Sequence, residues 1–212
     1  MAMKLYFFPI APNPTKGRLY LAEKRLAGAE IAVEEVVVDL REGEHKSPEH
    51  LLRDPLGKLP VLGIEGGRFL TESLPMILFL EELHPEPPLI GRTPRQRANT
   101  LNLERTVEQG VFFPMAQIVH ATNSALGLPP KPQVAQHFRE VLPTHFRLLD
   151  ERLSDGRAFL MGDEPTVADC TLAAGLQFGR MGKLEIEGDC AHLQRWNAAF
   201  RERPSAKEVL VL

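Results

Sequence analysis

The sequence predicts an α/β layer followed by an all-α domain. Three observations carry this expectation. Strand-like and helix-like segments alternate up to residue 83, a proline-rich break spans 84–94, and helical periodicity runs from 95 to 212.

Lys4–Phe8 is a short aromatic and aliphatic run that Pro9 ends, so it reads as a first strand. Pro12 and Pro14 mark a loop, and Leu19, Ala22 and Leu26 then space an amphipathic helix from about Thr15 to Ala27. Ile31–Val38 is apolar and β-branched, as a buried strand requires, and 39–55 is polar. Val61–Ile64 and Arg68–Leu70 flank Glu65-Gly66-Gly67, a hairpin signal. Leu74–Leu83 reads as a helix, with Pro75 in the first turn where its missing N–H costs nothing. Parallel pairing of the first two strands then needs a right-handed crossover through the first helix.

Pro85, Pro87, Pro88 and Pro94, with Gly91, cannot continue a helix, and a domain boundary at 84–94 follows. Beyond it, Leu103, Val107, Val111 and Ile118 stripe a long helix that Pro114 should kink. Gly127–Pro132 breaks the pattern. Phe138, Leu142, Phe146, Leu149 and Leu153 stripe the next helix, which Pro143 should bend or interrupt. Thr166 and Asp169 have capping-box spacing, a structural role. Leu193, Trp196 and Phe200 mark a final helix.

Composition narrows the function classes. A net charge of −3 with no Lys/Arg block gives no footprint for nucleic acid. No apolar run approaches the ~20 residues that span a bilayer. The apolar start Leu5–Ala11 is short and contains Pro9, so it reads as a strand and not as a signal peptide. Cys170 and Cys190 lack CxxC spacing and read as small buried residues, which suits a reducing cytoplasm. Seven histidines are scattered without metal-ligand spacing, so no metal is expected. Phosphate-loop, dinucleotide and nucleophile-elbow patterns are absent.

One constellation remains. Leu59-Pro60 precedes a strand, and Glu72-Ser73 opens a helix. If the Leu59–Pro60 bond is cis, Leu59 can offer its backbone to an extended peptide-like ligand. N–H groups at a helix start, a serine hydroxyl and a carboxylate could together clamp an α-amino-acid head group. The plainer alternative makes Ser73 an N-cap and Glu72 a solvated charge.

Gly43-Glu44-His45-Lys46-Ser47-Pro48-Glu49, Asp54-Pro55-Leu56-Gly57-Lys58-Leu59-Pro60-Val61 and Thr71-Glu72-Ser73 form an ordered set. With Pro12-Asn13-Pro14 through Arg18, the proline linker and the Thr166/Asp169 box, this set resembles the soluble glutathione transferases, with phi-like and nu-like bacterial features. The resemblance covers essentially the whole chain. It implies a thioredoxin-like N-terminal domain (1–83), a linker (84–94) and an all-helical domain (95–212). It further implies a cytoplasmic homodimer using glutathione as co-substrate. Position by position, it implies that Glu72 and Ser73 hold the γ-glutamyl head and that Leu59, before Pro60, pairs with the cysteinyl unit. His45, Lys46 and Lys58 would serve the glycyl carboxylate.

The thiol-activating residue departs from the family pattern. A glutathione thiol with a pKa near ~8.5 needs a donor that stabilises its thiolate, and lowering it two units takes ~2.7 kcal/mol. Phe7 fills the position of the family's tyrosine, and Ala11 that of its serine or cysteine. Asn13, Thr15 and Tyr20 remain nearby. The Ala-Pro-Asn order resembles the nu-type Thr-Pro-Asn, which favours Asn13, with Thr15 behind it and loop N–H groups as a further source. Ile10, Met115, Ile118 and Val119 are the candidate lining of an electrophile pocket between the domains. The resemblance implies conjugation of a hydrophobic electrophile. A glutathione-dependent disulfide reductase or hydroperoxidase is one alternative, and a non-catalytic glutathione-binding or interaction protein is another.

Overall fold

The computed structural model describes residues 3–124, 126–186 and 188–211. Four strands form one mixed sheet in the order β2-β1-β3-β4. β1 (Met3–Phe7) pairs in parallel with β2 (Val33–Val37), Met3 opposite Val33. The crossover between them is α1 (Pro12–Leu26). β3 (Val61–Ile64) runs antiparallel to β1, with Leu5 opposite Leu62, and β4 (Arg68–Leu70) closes the hairpin, with Leu62 opposite Leu70. α3 (Ser73–Leu83) packs against α1. This is the thioredoxin-like layer that the resemblance implies. The polar stretch between β2 and β3 is not structureless. It holds a single 3₁₀ turn (Glu44–Lys46) and α2 (Pro48–Leu51), capped by the Ser47 hydroxyl accepting from the His50 N–H.

The helical half comprises α4 (Pro94–Val107), α5 (Phe113–Thr122), α6 (Pro132–Arg152), α7 (Val167–Met181), α8 (Ala191–Arg201) and α9 (Pro204–Val209). The kink expected at Pro114 takes the form of a π-turn over Glu108–Phe112 between α4 and α5. Pro114 has no N–H for the Gly110 carbonyl, so the wider turn lets the helix re-form around the proline ring. The interruption expected at Pro143 does not occur, and α6 runs through it. The carbonyl deprived of its donor there belongs to the exposed Arg139, where water can replace the bond.

α1 also differs from expectation. The spacing suggests a half-exposed amphipathic helix, yet Lys16, Glu23 and Lys24 are buried along with Leu19, Tyr20 and Leu21. The reason is that α1 lies between its own sheet and α7 and α9 of the helical half. Each buried charge therefore has partners. Lys16 Nζ lies 2.9 Å from Glu104 and 2.6 Å from Glu108, and Lys24 lies 2.7 Å from Glu81. Arg203 forks onto Glu23 at 2.7 and 2.6 Å. Burial and the Glu81 carboxylate push the Tyr20 hydroxyl far above its ordinary range. Tyr20 therefore stays protonated and donates to Glu81 at 2.7 Å, away from the α1 loop.

The Thr166/Asp169 box forms at the start of α7. Asp169 is fully buried and accepts from Leu160 N–H, Thr166 N–H, Thr166 Oγ1 and Trp196 Nε1 at 2.9–3.1 Å. Burial pushes its carboxyl up and these donors oppose the shift. Among the described residues no helix is long and apolar enough to cross a membrane, and no cluster of His, Cys, Asp and Glu could hold a metal.

Candidate functional site

A cleft of about 810 Å³ opens between the sheet layer and the helical half. One wall comes from the loop entering α1, the 40–46 segment and the turn before β3. The other comes from the π-turn, α5 and α7.

The α1 loop concentrates hydrogen-bond donors at one residue. The Ala11 N–H is bound to the Phe8 carbonyl at 3.1 Å, and the Thr15 N–H to the Ala11 carbonyl at 3.0 Å. Pro12 and Pro14, inside the first turn, have no N–H at all. Asn13 lies between them with both its backbone N–H and its side-chain amide. Its Oδ1 accepts from the Ser73 hydroxyl at 3.2 Å, which leaves the NH₂ to donate. Thr15 does not share this role. It is fully buried, and its hydroxyl is committed to the Ala11 and Pro9 carbonyls at 2.9 and 3.3 Å. Phe7 is core, with the Arg18 guanidinium over its ring.

The Leu59–Pro60 peptide is cis. The β3 ladder begins at Val61, and among the described residues neither the N–H nor the C=O of Leu59 has a hydrogen-bond partner. Leu59 lines the cleft, and Pro60 is buried behind it.

The basic edge is built by the 54–58 turn. Asp54 Oδ2 accepts from the Lys58 N–H at 2.6 Å, and His50 Nε2 bonds the Lys58 carbonyl at 2.9 Å. Gly57 has φ +62°, and a Cβ there would stand 2.7 Å from the His45 carbonyl and 3.0 Å from Lys46 Nζ. Only glycine lets the turn close onto the segment carrying His45 and Lys46. Lys46, Lys58 and His45 line the cleft together. His45 Nδ1 is buried without a partner, and burial, then the charges of Lys46 and His50, hold its pKa below 6.5.

Ser73 is the first residue of α3 and not its N-cap; Glu72 holds that position. The N–H groups of Ser73 and Leu74 belong to the first turn and have no intrahelical acceptor. The Glu72 side chain is exposed, and among the described residues its carboxylate makes no hydrogen bond or ion pair. The Ser73–Asn13 hydrogen bond joins the start of α3 to the α1 loop, where Asn13 lines the cleft.

The helical wall corrects the expected pocket. Ile10 lines the cleft, but Met115, Ile118 and Val119 are fully buried and do not. They continue the stripe of Leu103, Val107 and Val111 into the core. There Gly179 and Gly182 let α7 approach so closely that a Cβ would come within 2.9 Å of Met115 Sδ or Val119 Cγ2. The cleft is instead faced by the neighbouring row Phe112, Phe113, Ala116, Gln117 and His120. The i, i+4, i+8 spacing of Phe112, Ala116 and His120 was the available signal for this row. The His120 ring packs on Phe178 with centroids 5.4 Å apart, and burial lowers its pKa, so it faces the cleft as a neutral imidazole at neutral pH.

Two family models match the chain: the N-terminal domain of glutathione S-transferases over residues 5–88 and the C-terminal domain over 113–204. The chain belongs to the glutathione S-transferase family. Glutathione S-transferase 2 of Saccharomyces cerevisiae is 29% identical over 98% of this chain and 89% of its own length. A maleylacetoacetate isomerase of Rhizobium meliloti is 34% identical over 81% of this chain and 85% of its own. Among solved structures, a glutathione S-transferase domain-containing protein of Marinobacter aquaeolei is similar, with 32% identity and a TM-score of 0.86. That match covers 96% of this chain and 99% of the other.

Proposed function

We propose that this family member is a glutathione transferase that conjugates the glutathione thiolate to a hydrophobic electrophile in the cleft. The observation that carries the reading is Leu59. Its unpaired backbone donor and acceptor lie beside the cleft, which is also lined by the basic edge and by Asn13, and Asn13 is bonded to Ser73. An extended tripeptide with a carboxylate at each end matches that set of groups.

In this reading residues 1–83 bind glutathione, 84–94 connect, and 95–212 supply the electrophile wall. Leu59 pairs with the cysteinyl backbone. Lys46, Lys58 and His45 hold the glycyl carboxylate. Glu72 takes the γ-glutamyl ammonium, and the free backbone N–H groups of Ser73 and Leu74 at the start of α3 take its carboxylate, while the Ser73 hydroxyl stays on Asn13. Asn13 stabilises the thiolate with its amide NH₂ and backbone N–H at the start of α1, whose dipole adds to the effect. The thiolate forms the new C–S bond with the electrophile held against Phe112 and Phe113, and with an aryl halide the carbon–halogen bond breaks and halide leaves to solvent through the open cleft. Holding both reactants in one cleft supplies the proximity that the reaction needs. Burial of α1 against α7 and α9 fixes the two walls relative to each other. The protein acts in the cytoplasm as a homodimer.

Calorimetric titration with glutathione, followed by assay of aryl halides, a small disulfide and an organic hydroperoxide, tests the reading. Conjugation of the aryl halides is expected. Turnover of only the disulfide or the hydroperoxide would replace it with a glutathione-dependent reductase or peroxidase. Absence of glutathione binding would leave a non-catalytic role.

A further inference from the structure

We infer that Glu108 sets the charge preference of the electrophile site, selecting uncharged aromatic electrophiles and rejecting anionic ones. The inference rests on the transferase reading and adds a specificity residue to it.

Glu108 opens the π-turn and lines the cleft. Its Oε2 meets Lys16 Nζ at 2.6 Å, but that ammonium is shared with Glu104 at 2.9 Å. Two carboxylates and one ammonium leave the cluster formally at −1. Glu104 is fully buried and Glu108 is 17% exposed, so the uncompensated charge opens toward the cleft through Glu108. Among the described residues that the helical half contributes to the cleft there is no lysine or arginine. The cations of the cleft come from the opposite wall: Arg41, paired with Asp39 at 2.8 Å, and Lys46 and Lys58, which the reading above gives to glutathione.

An electrophile lying on Phe112 and Phe113 therefore finds aromatic faces, neutral polar groups at Gln117 and His120, and one negative cluster. A carboxylate placed there loses its hydration and is repelled by the Glu108 cluster, and a hydrogen bond from the Gln117 NH₂ is all it recovers from this wall. A carboxamide of the same shape meets no such repulsion and can both accept from and donate to Gln117.

Binding of the unreactive pair meta-nitrobenzamide and meta-nitrobenzoate to the full chain saturated with glutathione tests this, read by calorimetry. The amide is expected to bind at least ~10-fold tighter, the size of one charge–charge contact in a partly screened site. In Glu108→Gln, where Lys16 keeps Glu104, the ratio should fall toward one. Gln117→Lys, which leaves the Lys16 cluster intact, should move the ratio toward the carboxylate. Equal binding in the wild type, no binding of either compound, or a ratio unmoved in both variants would overturn the inference. Conjugation of the para-chloro derivatives of the same two compounds reads the transferase activity separately. A preserved binding ratio without conjugation would sink the transferase reading and support the charge selection.

Discussion

The Ser73 hydroxyl donates to Asn13 Oδ1 at 3.2 Å, tying the start of α3 to the start of α1 across 60 residues of sequence. The contact fixes the amide so that its NH₂ is the free end. It also makes one residue of the proposed γ-glutamyl clamp a positioning residue for the proposed thiolate donor.

Asn13→Ala should raise the pKa of the bound glutathione thiol by about one unit, equivalent to ~1.4 kcal/mol of lost thiolate stabilisation. Thiolate absorbance against pH measures it. Ser73→Ala should raise the same pKa by less and also weaken binding. The two changes combined should cost less than their sum, because they share one contact. An unmoved titration in Asn13→Ala would take the role from the side-chain amide and return it to the backbone N–H of residue 13 and the dipole of α1.

Glu72→Ala should weaken glutathione binding by roughly tenfold or more while leaving thermal stability almost unchanged, since its carboxylate holds nothing else among the described residues. Glu72→Gln should recover little, because the ammonium needs a charge. Calorimetry separates the cases, and wild-type affinity in Glu72→Ala would remove Glu72 from the site.

Gly57→Ala should disturb the basic edge without touching a charged group. The left-handed φ costs roughly 1–2 kcal/mol for a residue with a Cβ. The new methyl group would also displace the His45 carbonyl and Lys46. Glutathione affinity should fall together with stability, as read by calorimetry and denaturant unfolding. An unchanged affinity would show that the edge does not contact the ligand.

Asp169→Ala should be the most damaging of these changes. It would leave the Leu160 and Thr166 N–H groups and the Trp196 indole buried without an acceptor, at roughly 3 kcal/mol or more. Trp196 is the only tryptophan, so its fluorescence during urea unfolding reports the loss directly.

His120 gives a pH signature. Burial holds its folded pKa below the ordinary 6.5, so as the pH falls through that value the unfolded chain binds a proton before the folded one. Its contribution to stability is full above 6.5 and is lost as the pH drops toward the folded pKa. Thermal unfolding should therefore show a smaller decline in His120→Asn than in the wild type between about pH 7.5 and about pH 5.5. Parallel declines would show the imidazole to be solvated.

The layer order, the strand positions and the longer helices were legible because they rest on local pattern: β-branched runs, 3.6-residue stripes and proline breaks. So were the Leu59-Pro60 and Glu72-Ser73 pairs and the Thr166/Asp169 box, each of which sits on a short contiguous motif. The short α2 was not, nor was α9, which follows the helix of Leu193, Trp196 and Phe200 expected to be the last, because so few residues cannot display a periodic stripe. The cleft wall was not legible. Met115, Ile118 and Val119 have the apolar spacing of a lining face, but periodicity does not say what a face meets, and α7 with its glycines claims that stripe. Likewise, nothing local told that Lys16, Glu23 and Lys24 would be buried, because their partners lie 57–180 residues away.

By itself the sequence determined an α/β layer followed by a helical domain, and its resemblance to the family pointed to the α1 loop as the place of the proposed thiol activation, with Phe7 and Ala11 at the family's tyrosine and serine or cysteine positions. Tertiary structure decided which of the nearby side chains keeps a donor free for that proposed role. Thr15 is consumed by its own helix, Tyr20 by Glu81, and Asn13 alone keeps free donors between two prolines while Ser73 holds its oxygen. The physical reason is that a residue's type fixes its hydrogen-bonding capacity, whereas the fold fixes how much of that capacity is already spent.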